Sequence, residues 1–269
     1  MLTPKSSIQG TWRARLDCRF TTAFLFYCFV AMGASPQITS AANSYLEAGV
    51  TADSLTNGYA NWRGYYLNGS HKFAPRQSIY AGLLRAERYD LNDVQLTVGG
   101  YQPLAARTAL LVEGTFSSTH NFLPNWSSLA QIEHQLSDGW GVAIGWLHRV
   151  YTDTQGDTAK FTGERYWSNF RAAYTLSLGR SANLGGTVGH HINGDYYYTD
   201  SNYVGLGVAA GEELDNVGSS VKRSDIRAVY VRGLHLITQE WGVTYQASVN
   251  KQGDYYTRKG ISFGLRYLF

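Results

Sequence analysis

Past its first 41 residues the chain has no cysteine: its only two, Cys18 and Cys28, both fall in the leading segment. A secreted chain without disulfides must hold its fold by other means, and a closed hydrogen-bonded barrel is one. Proline is scarce, with five in 269 residues. Beyond the leader no run approaches 18 apolar residues, which excludes a transmembrane helix. An excess of one charge is missing too. Four of the 23 basic residues and one of the 20 acidic ones lie in the first 41 positions, so the remainder is balanced. Nothing basic is left over to argue for nucleic acid. What is plentiful is tyrosine (20) and glycine (29).

Residues 1–41 read as a cleaved secretory signal. Lys5, Arg13, Arg15 and Arg19 form a positive start, and Phe20 to Gly33 is an apolar run too short to span a bilayer. Thr39-Ser40-Ala41 suits cleavage after Ala41, with Ala42 the other candidate. Bulky Phe26 and Tyr27 before Cys28 count against a lipoprotein site. Residues 42–269 are then a soluble periplasmic protein or an outer-membrane barrel.

Apolar and polar residues alternate along that whole stretch. Trp241, Val243, Tyr245, Ala247 and Val249 are set against Gly242, Thr244, Gln246, Ser248 and Asn250; Trp140, Val142, Ile144 and Trp146 are set against Gly141, Ala143 and Gly145. A period of two is a strand with unlike faces. The second face is small and uncharged more often than charged, which suits a lumen beside lipid. Strands are expected near 44–52, 61–73, 78–89, 93–103, 108–117, 126–136, 140–151, 157–166, 170–178, 184–192, 203–210, 225–236, 241–250 and 259–269. The fold class is thus all-β, an antiparallel up-and-down transmembrane barrel of about 14 strands. Splitting 157–178 at Trp167-Ser168-Asn169 makes the number even; 12 is the alternative if 184–192 and its neighbours fold differently. Short connections at 74–77, 104–107, 137–139 and 238–240 would be periplasmic turns, and 53–60, 118–125 and 211–224 outer loops. Trp140 and Trp241, each straight after a turn, suit an aromatic girdle. The segment 194–202, with Tyr196-Tyr197-Tyr198, is long for a periplasmic turn. Two strands have ambiguous phase: 79–85, where either Tyr80/Leu84 or Ile79/Leu83 could face lipid, and 226–236, where Arg232 clashes with the Ile226-Ala228-Tyr230 face.

The last strand alternates most strictly, with Ile261, Phe263, Leu265, Tyr267 and Phe269 on one face. A soluble sandwich could end so, but the pattern resembles the signal by which barrel assembly machinery recognises a closing strand. The chain also resembles the YaiO-type outer-membrane barrels. The resemblance rests on Glu87-Arg88-Tyr89 with Leu91 and Asp93, and on His120 with Leu123-Pro124 and Trp126. It rests also on Gly139-Trp140-Gly141, Tyr166-Trp167-Ser168-Asn169, Asn202-Tyr203-Val204-Gly205-Leu206 and the closing strand. It covers essentially all of residues 42–269 and implies a single barrel in the outer membrane; it carries no biochemical activity over.

Strand phase points Glu47, Glu113, Glu133, Arg149, Lys160, Glu164, Arg171, His191 and Arg266 into the lumen. Glu113, Glu133 and Arg149, from three successive strands, are expected to meet. A lumenal ion network braces the wall; the same charges as a ring would filter what passes, and a catalytic carboxylate pair is the remaining reading. An outer-membrane hydrolase would need a Ser or Asp with a His oriented by a third group, at the bilayer-facing rim or outer mouth. Seven histidines single out no arrangement. His190 and His191, as strand neighbours, face opposite ways; His120 reads as loop packing. The one Gly-x-Ser-x-Gly run, Gly260 to Gly264, falls inside the expected closing strand and makes no nucleophile elbow; there is no His-Glu-x-x-His and no phosphate-cradling Gly loop, and no cofactor or metal is expected. The main reading is a narrow pore or conduit linked to export or uptake of surface polysaccharide. The alternative is a structural or adhesive barrel that binds surface glycans through outer loops. Partners are the outer-membrane bilayer with its lipopolysaccharide, the assembly machinery, and polysaccharide.

Replacing Phe269 or Tyr267 with Ser should lower assembled protein several-fold more than Ser262→Ala, because only the former lose recognition and lipid-facing contacts. Heat-modifiable protein in outer-membrane fractions measures this; equal loss for all three would make the terminal alternation incidental.

Overall fold

In hydrocarbon every backbone N–H and C=O must be paired within the chain, and strands meet that demand only as a closed sheet. The computed structural model describes residues 44–181, 185–217 and 220–269, with side chains of 214–222 excepted. The leader expected over 1–41 lies outside the described residues. The described chain is a closed barrel of 14 antiparallel strands joined in sequence order, with the last strand paired to the first.

The strands are β1 (Tyr45–Leu55), β2 (Trp62–Ala74), β3 (Gln77–Arg88), β4 (Leu91–Ala105), β5 (Thr108–Ser117), β6 (Trp126–Gln135) and β7 (Trp140–Val150). They continue as β8 (Gln155–Trp167), β9 (Phe170–Ser181), β10 (Gly185–Tyr197), β11 (Tyr203–Val217), β12 (Ser220–Leu236), β13 (Trp241–Gln252) and β14 (Tyr256–Leu268). The seam runs from Tyr45 opposite Leu268 to Leu55 opposite Arg258. Both barrel ends of the chain lie at one rim, the terminal end, with connections 75–76, 106–107, 136–139, 168–169, 198–202 and 237–240. The far end carries the two longest connections among the described residues, 56–61 and 118–125.

Alternation sorts the faces as expected. Leu206, Ile144, Trp146, Ile261, Phe263 and Leu265 project outward and are exposed in the bare chain. Charges and tyrosines turn in. Glycines on the inner face make room for them: a Cβ on Gly49, Gly99 or Gly207 would collide with the ring of Tyr66, Tyr80 or Tyr230. Tyrosine and glycine are thus abundant as matched pieces, an aromatic ring covering the bare backbone across from it.

Two expectations change, and two open strand phases are settled. Residues 211–224 are not a loop, since β11 and β12 stay paired out to Val217 and Ser220. The segment 194–202 is strand as far as Tyr197, which leaves a turn of only 198–202. Tyr196 and Tyr198 point out and continue an aromatic girdle with Trp167 and Phe170, while Tyr197 turns inward. In β3 the outward residues are Ile79, Ala81, Leu83 and Arg85, and Tyr80 and Leu84 face the lumen. In β12 the face of Ile226, Ala228, Tyr230 and Leu234 is itself buried inside, and Arg232 belongs to it. The lipid side there is Val229 and Val231. Apolar bulk alone left those faces open, because a narrow barrel packs its interior.

The two-residue turn Tyr89-Asp90 has φ of 53° and 62°, the mirror turn that matches strand twist. Tyrosine is an unfavourable residue for that conformation. Edge contacts of its ring with Trp62 and Tyr59, at 5.7 and 6.3 Å, hold it at the far mouth.

Candidate functional site in the lumen

The inner wall carries two charged groups, one toward each end. Toward the terminal end, Arg171 on β9 donates from Nε to Glu164 Oε2 on β8 at 2.8 Å. Its other arm donates to Asp195 Oδ2 on β10 at 2.9 Å. Arg232 on β12 reaches the same carboxylate from Nη2, at 3.1 and 3.2 Å to its two oxygens. Asn193 adds a bond at 3.3 Å. Glu164, Arg171 and Asp195 are each 2% exposed, so these charges are held by one another and not by solvent. Gly205 lies across from Asp195, and a Cβ there would strike its carboxylate. Beside this group Glu47 and Arg266 join β1 to β14: Arg266 donates through Nε at 2.6 Å and Nη2 at 2.5 Å to one Glu47 oxygen. Thr244 donates to the other Glu47 oxygen at 3.2 Å.

All nine residues expected to point inward lie on the inner face, but they do not form one network. Glu113 accepts from the Tyr80 hydroxyl at 2.6 Å, Glu133 from Gln131 at 2.9 Å, and His191 Nε2 lies 2.9 Å from the Tyr230 hydroxyl. Lys160 and Arg149 line the cavity. The expected meeting of Glu113, Glu133 and Arg149 is corrected by register. Arg149 stands opposite Ser127, six residues along β6 from Glu133. At ~3.3 Å per residue that is about 20 Å, beyond the reach of an Arg and a Glu side chain. Asp195 and Arg232 were the residues missed. Arg232's clash with an apolar face was the available signal, and Asp195 was hidden by reading 194–202 as a turn.

The far mouth is built around Asp93, which is fully buried. Its Oδ1 accepts from the backbone and side-chain amides of Asn121, both at 2.9 Å. Its Oδ2 accepts from the N–H groups of Phe122 and Leu123 at 2.9 and 2.8 Å. One carboxylate therefore folds the 118–125 loop into the barrel, and Phe122, Leu123 and Pro124 are buried. Above them the Arg88 guanidinium lies between the rings of Trp62 (4.5 Å) and Phe122 (4.6 Å). Asp53 and Arg258 approach to 3.7 Å beside it. Between the two ends runs a cavity of about 1180 Å³, lined from Arg88 and Leu123, past Lys160 and His191, to Arg76 and Asn169 at the terminal rim. No group of three or more metal-ligating side chains is found among the described residues.

Residues 43–216 match the family described as the YaiO membrane beta barrel domain. The chain belongs to the YaiO family. No curated protein matches it. Among solved structures it is similar to an outer membrane channel from Pseudomonas putida F1 (TM-score 0.57, 9% identity, 87% of this chain and 98% of that one). It is similar also to the CymD monoaromatic hydrocarbon channel (0.57, 8%, 84% and 88%) and to the Acinetobacter baumannii outer membrane protein Omp33 (0.50, 12%, 84% and 99%). Identities this low speak for the fold, an outer-membrane β-barrel. The YaiO-type motifs now acquire a physical sense. Residues 87–93 and 120–126, far apart in sequence, meet at the far mouth through Asp93 and Arg88. Asn202 caps a turn at the terminal end, where its side-chain oxygen accepts from the Leu236 N–H at 2.8 Å.

Arg171→Met should cost on the order of 3–5 kcal/mol, because it leaves the buried Glu164 and Asp195 without their shared cation. Glu113→Gln, which keeps an acceptor for Tyr80, should cost about 1 kcal/mol. Urea unfolding in detergent micelles compares them; equal losses would show that the Arg171 group does not brace the wall.

Proposed function

We propose that this barrel is a narrow conduit for polar solutes across the outer membrane, coupled to export or uptake of surface polysaccharide. The observation that supports it is the continuous cavity whose wall mixes charged and polar side chains with tyrosines, entered at the far end beside aromatic rings and an arginine. Tyr59 is the exposed ring of that aromatic cluster, a group on which a sugar ring can stack. The lumenal charges of the Arg171 group neutralise one another, so they set width and stiffness more than ion choice. On this reading residues 1–41 direct export, the assembly machinery reads the closing strand, and the terminal end with its short turns is periplasmic. The Asp93-bound loop then narrows the outer mouth. Single-channel recording of the refolded chain in planar bilayers should show small, steady steps, and Asp93→Ala should enlarge them at least twofold by releasing the loop. Silent bilayers for both proteins, with binding on a surface-glycan array, would replace the conduit by an adhesive barrel.

A second observation supports lipopolysaccharide as the surrounding partner. Arg227 on β12 stands directly opposite Lys251 on β13, and Lys259 on β14 is two positions from that row. Arg63 on β2 lies beyond β1, which offers only Ala52 and Ser54 at that level. All four point outward and are exposed, and none is in an ion pair with a described side chain; Asp225 is two residues from Arg227, and Glu87 opposite Arg63 pairs with Arg85. Like charges placed opposite destabilise a sheet, and phosphates of outer-leaflet lipid relieve that strain. Barrel purified from membranes should carry bound lipopolysaccharide, and Arg227→Ser with Lys251→Ser should reduce the amount at least threefold. Unchanged co-purification would remove this partner from the row.

A further inference from the structure

The outward face of β6, β7 and β8 brings together, at the far rim, three side chains that are scattered in the sequence. Ser128 stands directly opposite His148, and His148 directly opposite Asp157. His148 Nδ1 lies 2.8 Å from Asp157 Oδ1. An ionised carboxylate only accepts, so Nδ1 carries the proton and Nε2 is left as the basic nitrogen. Nε2 is thus the ring nitrogen left to take a proton from Ser128 on the neighbouring strand, although no hydrogen bond joins the two in this structure. The ring also packs on the β6 side, 5.2 Å from Trp126. Asp157 is fixed by a second donor, Trp146 Nε1, at 3.1 Å.

The other side of Ser128 is open. Gly114 is its partner on β5, and a Cβ built there meets no side chain. Ser128 itself makes no hydrogen bond among the described residues. This bare gap is walled by Val112, Phe116, Trp126 and Trp146, all exposed on the lipid side. Beyond Asp157, Arg180 on β9 is exposed on the same face. His148 is two residues from the end of β7 and Ser128 two from the start of β6. The row therefore lies just inside the far rim.

We propose that Ser128, His148 and Asp157 form a nucleophile–base–orienter set that cleaves an acyl ester of a membrane lipid, on the outside of the barrel and independent of the lumen. Ser128 Oγ attacks the ester carbonyl while His148 Nε2 takes its proton. The carbon–alkoxy bond then breaks, and the alcohol leaves with that proton. Water attacks the acyl-serine with His148 again as base, the fatty acid departs, and Ser128 regains its proton. Asp157 holds the imidazole tautomer and stabilises its charged form. The aromatic wall takes the acyl chain, and Arg180 faces the headgroup phosphate.

The test uses the folded full chain, verified by heat-modifiable migration, in vesicles of phosphatidylethanolamine and phosphatidylglycerol and, separately, of lipid A. Fatty-acid release is measured beside fluorophosphonate labelling mapped by mass spectrometry. Expected are release from one of the two vesicle types, which identifies the lipid, and a label on Ser128. Ser128→Ala should remove both, and His148→Gln should lower release at least 100-fold. Asp157→Asn should do so with the barrel still folded. Ser128→Ala leaves conductance unchanged, so this proposal and the conduit fail separately. Folded protein that neither releases fatty acid nor takes the label, a label on another serine, or release that survives Ser128→Ala would each overturn it.

Discussion

A chain that crosses hydrocarbon has no water for its amides, and that one constraint governs the rest of this molecule. It forces the sheet to close, and closure requires that the first and last strands fit each other in a single register. Eleven residue pairs make that seam, from Tyr45 with Leu268 to Leu55 with Arg258. On its inner side the Glu47–Arg266 pair spans the two strands, with the guanidinium 4.2 Å from the Tyr45 ring. On its outer side Ile261, Phe263 and Leu265 meet lipid. A slip of one residue would exchange these faces, setting Arg266 in hydrocarbon and phenylalanine in the lumen.

Closure leaves an interior that must be filled or braced. Tyr66, Tyr80 and Tyr230 lie across glycines, while Arg171 gathers Glu164 and Asp195 from the strands on either side and Arg232 reaches in from β12. At the far mouth Asp93 does comparable work with neutral partners, and three backbone N–H groups and one side-chain amide fix a loop that would otherwise leave the cavity open. The wall is thus stiff near the terminal end and dependent on one carboxylate at the far end. Such a division suits a conduit whose outer mouth is set by a loop and whose inner part is fixed.

The barrel was legible because its signal is periodic. Strict alternation at 140–146 and 241–249, and the break at Trp167-Ser168-Asn169, were enough to place those strands, and the closing strand announced which face meets lipid. Inward-facing charges followed from phase alone. Their partners did not, because a partner is set by register between strands. Register placed Arg149 opposite Ser127 and out of reach of Glu133. Phase itself stayed ambiguous where inner and outer faces are equally apolar, as in Ile226-Ala228-Tyr230. Tyr196-Tyr197-Tyr198 looked like a loop because two of the three tyrosines serve the girdle. Ser128, His148 and Asp157 were unreadable for the same reason as the lumenal pairs: three strands had to be aligned before they became neighbours.

The most direct test of this account is the seam itself. With Cys18 and Cys28 changed to serine, cysteines at Ala48 and Leu265 are opposite one another on the outer face, at a separation that a disulfide spans. Mild oxidation in native outer membranes should cross-link them within one chain, and the pair Ala48 and Phe263, displaced by two residues, should remain reduced. Cross-linking that favours the displaced pair, or that joins separate chains, would contradict the closed barrel in the register on which every assignment of lumen and lipid depends.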